Sequence, residues 1–144
     1  SKKIQAVSMG DDHILLMDSD GTVFSAGKSC GALALDYVDL EPGSYFKLEE
    51  IEAPTELLDE GNHFVSMCAG PGVSYFLDNQ GEVWGCGLIP QGVQPVVDVL
   101  KPMKLIPENH PMRGGEGLPL NAEEIYQSDG TLFVRKKDAE WWVG

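Results

Sequence analysis

The residues able to do chemistry in this chain are few and scattered. Asp18-Ser19-Asp20-Gly21 opens like a calcium-binding loop, in which alternating carboxylates ligate a hard cation. Such a loop needs further oxygen ligands and a closing glutamate. Here Gly21 is followed by TVFSAG, so the four residues read as a turn. His13 could serve as a base, but no serine or cysteine near it sits in a nucleophile elbow. His63 and His110 stand alone in loop-like sequence, and Cys30, Cys68 and Cys86 form no CxxC pair. Neither zinc ligation nor a disulfide framework is expected. The glycine-rich MRGGEG at 112–117 matches no phosphate-binding loop. Arg113 within it is a candidate partner contact, because arginine is enriched at interface hot spots. No catalytic residue, cofactor or metal is expected, and a non-enzymatic role is favoured.

Composition narrows the class further. The chain has 144 residues, 42% of them hydrophobic, enough for one folded domain spanning 1–144. Its formal net charge is −13, from 23 acidic and 10 basic residues. Direct nucleic-acid binding is disfavoured, since phosphate affinity comes from lysine and arginine displacing counterions. An acidic surface keeps a protein soluble and also attracts a basic partner. No apolar run approaches the ~20 residues of a membrane helix, and SKKIQAVSMG lacks the apolar stretch of a secretory signal. With an odd number of cysteines and no CxxC pair, a reduced, intracellular setting, cytoplasmic or nuclear, is expected.

The elements that would position any site announce themselves by repetition. MGDDHILLMDSDGTVFSAG at 9–27 returns as AGPGVSYFLDNQGEVWGCG at 69–87. Gly10, Asp18, Gly21, Val23 and Gly27 pair with Gly70, Asp78, Gly81, Val83 and Gly87, each 60 positions on. Leu15, Leu16, Met17 and Phe24 match Tyr75, Phe76, Leu77 and Trp84 in class, and upstream Ile4 meets Phe64 and Val7 meets Met67. Self-similarity at such a period signals a repeat architecture. Each copy reads as a β-hairpin, two short apolar runs joined by a turn ending in glycine. HILLM is apolar at every position but its histidine, as suits a strand covered on both faces.

Between the copies, FKLEEI could add an outer strand, and Pro54 limits any helix in LEEIEAPTELLDE to a turn or two. IPQGVQPVVDVLKPMKLIPENHPMRGGEGLP reads as extended, irregular chain along a sheet edge. EIYQSDGTLFVRKKDAEWWVG offers three further strands, a third unit cut short. Aligning its SDG turn with DNQG sets Gly130 only 49 residues after Gly81, outside the sixty-residue register. Trp141 and Trp142 are adjacent, so a strand would turn them to opposite faces, and a partner surface is expected to cover one. The units are set at 4–62, 64–122 and, in part, 123–144.

These motifs resemble the regulator of chromosome condensation repeat. The signature residues are Gly10, His13, Gly21 and Gly27 in the first unit and Gly70, Gly81, Trp84 and Gly87 in the second, where Val73 replaces the histidine. CGALAL resembles the family's Gly-Gln-Leu-Gly ending, with Ala32 and Ala34 in place of Gln and Gly. The resemblance covers 4–35 and 64–92. It implies an all-β fold, here a partial β-propeller of about two to three four-stranded antiparallel blades with long irregular loops. It also implies that His13 is structural. A wheel too small to close leaves sheet faces uncovered. The expected role is therefore a protein-interaction module inside a larger assembly, its open propeller completed or capped by protein partners or by self-association. Guanine-nucleotide exchange on a small Ras-like GTPase, which the lack of a catalytic constellation does not exclude, or propeller-type enzyme inhibition, are the alternatives that the resemblance carries.

Overall fold

The computed structural model describes residues 3–28, 45–89, 97–105, 121–137 and 141–143. Eleven strands and one short helix are seen among them. β1 (Ile4–Met9), β2 (His13–Asp18), β3 (Val23–Lys28) and β4 (Tyr45–Glu50) form an antiparallel sheet in chain order. β5 (Phe64–Gly70), β6 (Val73–Asp78), β7 (Val83–Ile89) and β8 (Val97–Lys104) form a second in the same order. β9 (Ala122–Ser128), β10 (Thr131–Lys136) and β11 (Trp141–Val143) form a third, of three strands. No helix among the described residues is long and apolar enough to cross a membrane.

The three sheets stack face to face. β5 lies against β1 and β2, and β9 lies against β5 and β6. Side chains of a strand alternate between faces, so the middle sheet serves two cores at once. Phe64, Met67, Phe76 and Trp84 turn to the first sheet and meet Leu15, Met17 and Val23. Val73, Tyr75, Leu77 and Val83 turn to the third and meet Ala122, Ile125, Leu132 and Val134. Every residue of β6 is buried as a result. Phe64 stacks on Phe76 at a centroid distance of 4.8 Å and meets Trp84 edge-on at 6.4 Å.

FKLEEI does supply the fourth strand of the first sheet, and the helix α1 (Thr55–Asp59) starts directly after Pro54 and lasts little more than one turn. In the proline-rich stretch, residues 97–104 form β8, an edge strand whose ladder with β7 slips between Gly85 and Gly87. The extended chain expected along the sheet edge is thus itself a member of the sheet. Pro102 is tolerated there because β8 is the outermost strand of its sheet.

The register of the third unit is also corrected. Its SDG turn joins the first two strands of the sheet, not the second and third. It is a two-residue hairpin closed by Ser128 and Thr131, with Asp129 and Gly130 at φ 52° and 86°. Its counterpart is Pro71-Gly72, closed by Gly70 and Val73. On that alignment Ala122 follows Phe64 by 58 residues, close to the sixty of the other pair. A shared irregularity confirms it: the ladder slips at Ile4/Ala6, at Phe64/Ser66 and opposite Ala122/Glu124. The backbone bonds Ser19 N to Lys3 O, Asn79 N to His63 O and Lys137 N to Asn121 O close the same corner three times.

Gly81 shows why glycine recurs at the far turn. Its φ is +83°, and a Cβ there would stand 2.9 Å from Ala122 N and from Asn121 Cα, where the third sheet begins. Gly61 shares the left-handed conformation (φ +72°) but has open space around it. Gly81→Ala is expected to lower stability by about 2 kcal/mol or more and Gly61→Ala by about 1 kcal/mol, read from urea unfolding midpoints. Equal effects would show that conformation alone, and not the approach of the next sheet, sets the requirement.

Candidate functional site

The repeat-signature residues divide between the two ends of the stacked sheets. Gly10, His13, Gly27, Gly70 and Gly87 gather at one end, where His13 pairs with Gly27 and Val73 with Gly87 across their ladders. His13 is buried, and its Nε2 shares a hydrogen bond of 2.9 Å with Ser74 Oγ of the next sheet. Gly10 leaves the space for this: a Cβ there would lie 2.5 Å from both Gly70 O and His13 Cε1. A second tie runs from Ala69 N to Ser8 Oγ at 2.9 Å. Between the second and third sheets the tie is different in chemistry but alike in place, Tyr75 donating from its hydroxyl to Gly130 O at 2.6 Å.

Gly21 and Gly81 mark the opposite end. There Asp18 Oδ1 accepts from Asp20 N at 2.9 Å and Thr22 N at 3.0 Å, while Asp78 Oδ1 accepts from Gln80 N at 2.8 Å and Glu82 N at 2.9 Å. Asp78 Oδ2 also accepts from Trp84 Nε1 at 3.0 Å. The carboxylates are committed to the turn itself in Asx geometry, and the turn is the reading the sequence supported. Among the described residues, no group of three or more His, Cys, Asp or Glu is placed to hold a metal ion. Burial pushes the Cys68 thiol up to about 12, so it remains protonated and unreactive near neutrality. His63 is exposed. Cys30, His110, Arg113, residues 112–117 and the CGALAL segment lie outside the described residues. Trp141 and Trp142 stand on β11, opposite Arg135 and Val134 in the ladder.

What remains as a site is the outward face of the first sheet. Ile4, Val7 and Met9 are 50%, 57% and 71% exposed. Val7 pairs with Leu16 and Leu16 with Phe24, so these share that face. Sixty positions on, the counterparts Phe64, Met67 and Ala69 are 2–8% exposed, because they cover the first sheet's inner face. The same apolar pattern is thus buried in one copy and open in the other. The outward face of the third sheet differs. Arg135 stands where Leu77 stands in the middle sheet, bonding Glu123 at 3.2 Å and Glu124 at 2.8 Å. Arg135 holds the Glu124 carboxyl below its ordinary range, with the Tyr126 hydroxyl adding to the effect. Sequence reasoning paired Val7 with Met67 and expected an unclosed wheel to leave sheet faces uncovered, yet did not assign the open face to Ile4, Val7 and Met9. The repeat offset itself carried that signal.

Burial lowers the His13 pKa from 6.5, against the smaller raising pull of Asp12 and Asp11. The folded state then prefers the neutral ring, so the unfolded chain takes up the proton first as pH falls through about 6.5. The contribution is complete above that value and is lost below it. His13→Asn is expected to remove this part of the decline in unfolding free energy between about pH 7.5 and 5.5. An identical decline in both proteins would place the titrating group elsewhere.

No protein-family model matches the chain, and no curated protein matches it significantly. Solved structures do. A human protein, WBSCR16, superposes with a TM-score of 0.71 at 16% identity over 97% of this chain and 32% of its own. A structure of Kap60 bound to yeast RCC1 (Prp20) matches with a TM-score of 0.57 at 19% identity, covering 96% of this chain and 42% of that one. Prp20p from Saccharomyces cerevisiae, described with its binding properties to Gsp1p and histones, gives 0.55 at 19% identity, covering 96% and 43%. The chain therefore spans about a third to two fifths of the structures it matches. It has the fold of consecutive blades of an RCC1-like β-propeller, with the ring not closed.

Proposed function

We propose that the chain is a protein-interaction module, a run of propeller blades at 4–62 and 64–122 with the start of a third at 123–144, working inside a larger assembly. Its first sheet is seated against another apolar β-sheet. The observation that carries this reading is the exposure of Ile4, Val7 and Met9 at positions whose counterparts are buried between sheets. Each such side chain gains about 1.5–3 kcal/mol on full burial, and contiguous apolar patches of this kind mark interaction sites. The structure of Kap60 bound to yeast RCC1 supports an interaction role for this fold.

The two open faces also bear on self-association. Head-to-tail copies would press Arg135, Glu123 and Glu124 onto Val7 and Met9. Removing those charges from water costs several kcal/mol per ion, and the apolar face offers no hydrogen bonds in return. The mate of the first sheet is therefore a different surface. In a Val7→Glu/Met9→Glu double variant the isolated chain is expected to unfold within about 0.5 kcal/mol of the parent. Any complex that native mass spectrometry detects with the parent chain is expected to be absent with the variant. A parent chain recovered from cells with no partner bound, or a complex that survives both substitutions, sinks the reading.

A further inference from the structure

A cleft of about 450 Å³ opens where the end of the first sheet meets the second, bounded by the β2–β3 turn, the segment after β4, α1 and the start of β5. Its floor is apolar and fixed, made by Ile51, Leu57 and Phe64, which are 6%, 2% and 2% exposed and belong to the core between the sheets. Its wall carries Leu58, which is 58% exposed although large and apolar. Its mouth is acidic. Asp20, Glu50 and Glu52 line it, with His63 as the remaining titratable group, and no lysine or arginine lines it among the described residues.

We infer that this cleft is a docking site for a basic peptide segment of a partner protein. It takes a cationic side chain whose aliphatic stem lies along Leu58 and the floor and whose charge rests among Asp20, Glu50 and Glu52. Three features of the cleft match that occupant. A long cationic side chain buries its methylenes on apolar surface while its charged head stays near water, and an apolar floor below an acidic mouth suits both parts. The one-sided charge of the mouth is complementary to a cation and repels an anion. The chain's net charge of −13 adds a long-range attraction that brings such a segment near. The cleft opens at the rim where the first two sheets meet: Glu50, paired with Phe24, borders the outward face of the first sheet, while Glu52, Leu57 and Leu58 follow β4 and lie beyond that face.

Fluorescence anisotropy of the full chain with a labelled peptide of alternating arginine and leucine tests it. A Glu50→Gln/Glu52→Gln double variant is expected to weaken binding about tenfold, as loss of charged contacts should. It should also flatten the salt dependence between ~0.05 and ~0.2 M. Leu58→Ser should weaken binding about threefold without changing the salt dependence. Glu123→Gln, at the third sheet, should leave binding within about twofold. A peptide with glutamate in place of arginine should not bind. Unfolding midpoints of the variants are expected to match the parent, since all the substituted side chains are exposed. Equal weakening by Glu123→Gln would reduce the effect to diffuse charge attraction and overturn the site. So would indifference to Leu58→Ser, or failure of the arginine peptide to bind.

Discussion

The structure depends on one constraint, the burial of the middle sheet on both faces. β6 has no side chain in contact with solvent to any large extent, and it separates two cores that share no residue. Phe76 must fit the first sheet while Tyr75 and Leu77 fit the third. A shift of one residue in the pairing of β6 would exchange these sets and ruin both cores together. The ladders around it are accordingly pinned at each end. Two-residue and Asx turns fix the loops, and hydrogen bonds from His13 and Tyr75 reach across to the neighbouring sheets.

These cross-ties are solved locally rather than copied. His13 reaches forward to Ser74, while at the matching position Val73 is apolar and the tie passes to Tyr75. The far turn is held by Asp18 and Asp78 through the same two backbone bonds, but only Asp78 gains an indole donor, because Trp84 stands where the first copy has Phe24. Lys104 Nζ then sits 5.5 Å from that indole, a cation over its face. Backbone geometry repeats more faithfully than side-chain chemistry, because the turn must clear the next sheet whatever residues line it. Gly21 faces Phe64 O as closely as Gly81 faces Ala122 N.

How much was readable without coordinates follows from the same distinction. The hairpins were legible because DSDG and DNQG each combine an aspartate anchor with a glycine in the left-handed region, and apolar runs flank both. The helix after Pro54 and the strand of FKLEEI were legible for similar local reasons. The third unit was misaligned because SDG resembles DSDG in letters but not in mechanics. Asp129 itself adopts positive φ and the pair closes a two-residue hairpin, whereas Asp18 stays extended and binds the loop with its side chain. Lys136 occupies the place of Asp78, so the anchor that would have revealed the true register is missing. β8 was hidden by Pro102, whose tolerance depends on its being an outer strand, a fact about sheet order rather than sequence.

The candidate site was less legible because openness is not a local property. Nothing in IQAVSM distinguishes it from FVSMCAG as a strand; one is uncovered only because no sheet precedes it among the described residues. The difference between the two outer faces is nonetheless informative. Where the middle sheet has Leu77 and Cys68, the third has Arg135 and Tyr126, joined through Glu124 into a hydrogen-bonded group suited to water. The first sheet shows no such adaptation at Ile4, Val7 and Met9. The third sheet's outer face carries a charged, hydrogen-bonded group beside Phe133. The first sheet's outer face leaves Ile4, Val7 and Met9 open without one, and it is these residues that require a mate to account for them.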